Sequence, residues 1–154
     1  MHAPCVRSTD REKRDMATDY GIRTVLDLPF AEAVERTRDA LKAEGFGVLS
    51  EIDLREKLRE KLGVEIDPYL ILGACNPPLA YKAIQAEPEI GLLLPCNVIV
   101  YATSGGRTVV AAVDPGAMLS VVGESAAVAE VGQDARVRLQ RVIESLKGVS
   151  AASP

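Results

Sequence analysis

The stretch Tyr69-Leu70-Ile71-Leu72-Gly73-Ala74-Cys75-Asn76-Pro77 changes character between Cys75 and Asn76, and the fold is read from that change. Its first part is apolar, short and closed by turn-forming residues, the pattern of a buried strand. Asn76 follows at once as a helix cap, its side chain suited to the free amides of a first turn. Pro77 occupies that turn, where a missing N–H does no harm. A strand that feeds directly into a helix predicts alternating α and β elements on both sides.

Upstream, Tyr20–Leu26 reads as a strand and Pro29 as the first residue of a helix. Phe30, Val34, Thr37 and Leu41 recur at helical spacing, and Gly45 suits the left-handed position that ends such a helix. Phe46–Ile52 is a second strand. Asp53 with Glu56 forms a capping box for a short helix whose Leu54, Leu58 and Leu62 share one face, ending at Gly63. The charges of that helix, Arg55, Lys57, Arg59 and Lys61, form its solvated side.

Downstream, the helix opened by Asn76 runs to about Glu87, where Pro88 stops it. Leu92–Thr103 and Arg107–Val113 form a hairpin around Ser104-Gly105-Gly106, and Pro95 makes the first of these strands an edge or a bulge at that point. Asp114-Pro115-Gly116 turns the chain. Ala126–Leu146 carries Val128, Val131, Ala135, Leu139, Val142 and Leu146 at steps of three and four, a long amphipathic helix. Gly132 is its weak point, costing about 1 kcal/mol relative to Ala. The helix has small aliphatics rather than the large anchors of a membrane-surface helix, so it is expected to pack on the sheet. The predicted class is α+β: one sheet of about five strands, helices largely on one face, and a long C-terminal helix.

A chain of 154 residues suits one domain. Residues 1–15 read as a disordered polar tail, 16–149 as the domain and 150–154 as a fraying end, with Met16 a second candidate start. Apolar residues make up 47% and aromatics 4%, so the core is aliphatic and little surface remains for stacking bases or sugars. A net charge of -4 repels phosphate backbones, which excludes nucleic acid as the expected partner. The N-terminal residues lack the apolar run of a signal peptide, and Tyr69–Cys75 and Val98–Ala102 are too short to span a bilayer. The chain therefore reads as cytoplasmic, with reduced cysteines and no membrane partner.

The only histidine is His2, in the tail, so a Ser-His-Asp or Cys-His nucleophile has no base within the domain. Cys5 shares the tail and is likewise left out of any site. The glycine pairs lack the strand–loop–helix context and lysine of a phosphate loop. Attention falls on two matching triplets, Ala74-Cys75-Asn76 and Pro95-Cys96-Asn97. Cys75 ends a strand just before a helix N-terminus, a position that favours a thiolate and lowers its pKa. Glu51 and Asp53, two apart on a strand, share a face and could act as acid and base or bind a cation, although Asp53 already has work as a helix cap.

Three functions follow from these residues. One is a binding site for a small molecule or soft metal ion, with Cys75 and Cys96 as ligands and Asn76 and Asn97 orienting them. Two thiolates suit Cu(I), and four, contributed by a dimer, suit zinc. The second is a thiol-dependent (redox) enzyme with Cys75 as nucleophile and Glu51 or Asp53 beside it. The third is a structural or interaction module whose cysteines are core residues, the common fate of free cysteine.

The run Ile71-Leu72-Gly73-Ala74-Cys75-Asn76-Pro77 followed by Leu92-Leu93-Leu94-Pro95-Cys96-Asn97-Val98 resembles the signature of domain-of-unknown-function family 302. Glu44-Gly45-Phe46-Gly47-Val48, Glu51-Ile52-Asp53 and Asp114-Pro115 agree with it, and the resemblance spans about residues 20–147. It implies a compact α+β fold with a β-α-β start, a broad topology similar to the TATA-binding-protein class, and a homodimer. It carries no catalytic assignment, and fold alone does not bring DNA binding with it.

Overall fold

A computed structural model describes residues 20–149. The tail and the last five residues, with the alternative start at Met16, lie outside it. Five strands, β1 (Gly21–Leu26), β2 (Gly47–Asp53), β3 (Tyr69–Cys75), β4 (Cys96–Ala102) and β5 (Thr108–Val113), form one sheet in the order β1-β5-β4-β3-β2. Every neighbouring pair is antiparallel. The helices are α1 (Phe30–Ala43), α2 (Leu54–Leu62), α3 (Pro77–Ala86), α4 (Pro115–Leu119) and α5 (Ala126–Leu146). The β-α-β start is present as element order, but β1 and β2 are the two edges of the sheet, so α1 crosses the whole of it. Among the described residues, no helix is long and apolar enough to cross a membrane.

The side-chain period of two assigns each strand one inner face. Leu26, Leu70, Leu72, Ala74, Cys96, Val98, Val100, Val110 and Ala112 face α1 and the second half of α5, and all are buried. Complete burial of a side chain such as Leu72 or Val98 stabilises the fold by about 2 kcal/mol relative to exposure. The hydroxyls that enter this layer are satisfied. Thr37 donates to the Ala33 carbonyl at 2.7 Å and Thr108 to that of Leu28 at 2.8 Å. A second apolar cluster, built on Ala83, Ile90, Leu119, Val128 and Val131, joins α3, α4 and the first half of α5 beyond the end of the sheet.

Several expectations need correction. The strand expected over 92–103 begins only at Cys96, because Pro88–Leu93 winds into a 3-10 helix. Pro95 therefore precedes the ladder instead of breaking it. The turn expected at Asp114-Pro115-Gly116 is the start of α4, with the Asp114 carboxylate accepting from the Gly116 amide at 2.9 Å. Helix α2 buries no residue, and Leu62 is 69% exposed, because the helix stands at the end of the β2–β3 edge and packs chiefly on those two strands. Its charges instead pair with a neighbouring loop, Arg59 with Glu65 at 2.9 Å. Gly132 is not merely a weak point: a Cβ there would stand 3.2 Å from Leu119 Cδ1 and 3.5 Å from the Pro115 carbonyl, so its bare backbone lets α4 lie against α5.

Candidate functional site

The two cysteines come together through strand register. Ala74 of β3 stands opposite Cys96 of β4, so Cys75 is one residue diagonal from Cys96 on the neighbouring strand. Both thiols are free, Cys75 half-buried and Cys96 buried. Both line one cavity of about 30 Å³ at the seam between the two apolar clusters. Phe46 and Ala74 contribute from the sheet side, and Ala83, Ile90, Leu119 and Val131 from the other. The polar group at the wall is Asn76, buried, whose side-chain oxygen accepts from the Leu79 amide at 3.3 Å and so caps α3.

Apolar walls govern the acidity of the thiols. Burial pushes the Cys75 thiol above its ordinary value. Burial, with the charge of the neighbouring Cys75 added, pushes Cys96 up to about 11. The lowered pKa expected at Cys75 is therefore reversed. Desolvation of the anion outweighs the helix N-terminus, whose Leu79 amide is already engaged by Asn76.

The other candidates disperse. Asn97 follows Cys96 in β4 and so emerges on the opposite face of the sheet, exposed, among the side chains of the outer surface. Glu51 is opposite Leu72 and Asp53 opposite Leu70, which puts even Glu51 about 10 Å along β3 from Cys75. Glu51 pairs with Arg38 of α1, and Asp53 accepts from the Glu56 amide at 3.0 Å as the cap of α2. The proposed enzyme site of Cys75 with an adjacent carboxylate is thus not assembled. Among the described residues there is no group of three or more His, Cys, Asp or Glu side chains placed to hold a metal ion. Among the described residues one chain offers two thiols, which fall short of a tetrahedral zinc set.

Sequence reasoning missed the roof of the cavity: Pro115, Met118 and Leu119, all on α4. The available signal was Asp114-Pro115, a cap followed by a first-turn proline, the same punctuation that identified α3.

The sequence profile of the family described as "Domain of unknown function DUF302" matches residues 22–146. Among solved structures, the chain is similar to an uncharacterized conserved protein DUF302 from Bacillus stearothermophilus. The two share 30% sequence identity and a TM-score of 0.75, over 82% of this chain and 98% of that one. No curated protein matches.

Proposed function

We propose that this chain, which belongs to the DUF302 family of domains of unknown function, binds a single soft monovalent metal ion between Cys75 and Cys96. Membership carries a fold and no chemistry, so the reading rests on one observation: Cys75 and Cys96, both free, are lining residues of one cavity of about 30 Å³. That is the space of one water molecule, far below the 300–1,000 Å³ of an organic ligand site, which favours the metal ion over a small molecule here. Two thiolates between apolar walls are a donor set that soft Cu(I) accepts. Binding exchanges two thiol protons for the ion, leaving a bis-thiolate complex with one net negative charge. Raised thiol pKa values make that exchange steeply pH-dependent, tighter as pH rises.

The same burial favours a second reading. Cys96 belongs to the main apolar cluster, as a structural cysteine would. Anaerobic Cu(I) titration against a competing chelator separates the two. The binding reading expects one equivalent per chain, lost in Cys75→Ser and in Cys96→Ser. Sub-stoichiometric uptake by the unmodified chain, or uptake that both variants retain, would leave the cysteines as packing.

A further inference from the structure

The chain has three cysteines and three methionines. Met1, Cys5 and Met16 lie outside the described residues. The other three sulfur-bearing residues, Cys75, Cys96 and Met118, all line the cavity of about 30 Å³ between the two apolar clusters. They reach it from three elements, β3, β4 and α4. Met118 is half-buried and packs against both clusters, which puts it at their seam. The backbone of α4 sets its place. One oxygen of the Asp114 carboxylate accepts from the Gly116 and Ala117 amides at 2.9 and 3.4 Å and so starts that helix. The other accepts from Arg136 Nε at 3.2 Å, which ties the start of α4 to α5. The remaining lining residue with a donor side chain is Asn76, whose amide oxygen is already engaged by the Leu79 amide.

We infer that the Met118 thioether is the third donor of this site, so that the ion held by Cys75 and Cys96 is three-coordinate and bound by sulfur alone. The inference rests on the metal-binding reading above and adds a donor to it. Thiolate and thioether sulfurs are the soft donors that select Cu(I), whereas the amide oxygen of Asn76 is a hard one. A cavity with the space of one water molecule holds an ion without an exogenous ligand beside it. A donor beyond the two thiolates therefore comes from the wall or not at all. Methionine is unbranched and adaptable, so its sulfur can meet an ion while the backbone of α4 stays in place. A thioether has no proton to lose. The complex keeps its one net negative charge, and each ion still displaces two protons, both from the cysteines. Zinc is disfavoured by the same set, since it takes four ligands and draws them from thiolate, imidazole and carboxylate. A methionine that only fills space between the clusters is the alternative that the experiment separates.

The test uses the full chain with selenium in place of sulfur in its methionines, loaded anaerobically with one equivalent of Cu(I). The copper-edge absorption spectrum should show one selenium neighbour beside two sulfurs. Met118→Leu, which keeps selenium only at Met1 and Met16, should show sulfur alone. In competition with a chelator, Met118→Leu should weaken Cu(I) about tenfold or more, the scale at which loss of one supporting group is felt. Because no proton leaves with that donor, the factor should be the same at about pH 7 and about pH 8.5. The labelled chain keeps every side-chain shape, so its spectrum carries the test even where Met118→Leu folds poorly. Copper without a selenium neighbour, or a folded Met118→Leu that binds as tightly as the unmodified chain, would overturn the inference and leave the two-cysteine site standing. Failure of the unlabelled chain to take up Cu(I) would instead remove the metal-binding reading, and the third donor with it.

Discussion

Cys96 carries its consequences in its surroundings: 8% exposed, walled by aliphatics, and lining the same cavity as Cys75. Its thiol ionises near 11 in the folded chain against an ordinary 9.0. A native thiol that keeps its proton while the unfolded one loses it destabilises the fold as pH rises. The contribution is fully present below about pH 9 and lost progressively as pH rises through about 11, on the order of 2 kcal/mol. Urea unfolding between about pH 8 and pH 10.5 should therefore show a falling stability that Cys96→Val partly flattens. Equal slopes in the two proteins, after the shared lysine and tyrosine titrations cancel, would contradict the assigned burial. The identity of Cys96 as a residue of interest was legible in the repeated Cys-Asn pair. Its partner was not, since adjacent residues of a strand face opposite ways. That alternation sends Asn97 to the outer face while Cys96 enters the core. Gly73 shows the same limit: a Cβ there would collide with Ser50 Oγ and stand 2.7 Å from Pro95 Cγ, a constraint set by two other segments.

Helix α5 is the element on which both clusters depend. Its periodicity was readable residue by residue, and Val128, Val131, Ala135, Leu139, Val142 and Leu146 are all buried as the spacing predicts. Gly132 was readable only as a helix weakness. Its reason lies in α4, which closes over it and roofs the cysteine cavity. Gly132→Leu should press on Leu119 and the Pro115 carbonyl, destabilise the chain by about 1–3 kcal/mol through overpacking, and lift α4. Native-state alkylation of Cys96 should then accelerate relative to the unmodified chain, measured by mass spectrometry under conditions where both remain folded. An unchanged rate would mean that α4 does not guard the thiol. Helix α2 illustrates the opposite error. Its leucines at spacing four suggested a buried face, yet among the described residues none of them is buried, and amphipathicity alone cannot supply a covering layer.

At the scale of the molecule, the main cluster and the satellite cluster share α5 and meet at the cysteine cavity, with no linker between them. One cooperative unit is expected. Thermal unfolding followed by helix dichroism and by the near-ultraviolet signal of the tyrosines should give coincident single transitions. Two resolved steps would show that the cluster under α3 and α4 melts on its own. By itself the sequence determined the element types, most of the caps, the aliphatic core and the absence of an imidazole from the described domain. These follow from local periodicity and backbone preference, which a chain carries in neighbouring residues. Only the tertiary structure decided that Cys75 and Cys96 share a cavity and that Glu51 and Asp53 stand apart from it. Those outcomes depend on strand order and register, and register is set by contacts between segments distant in the chain.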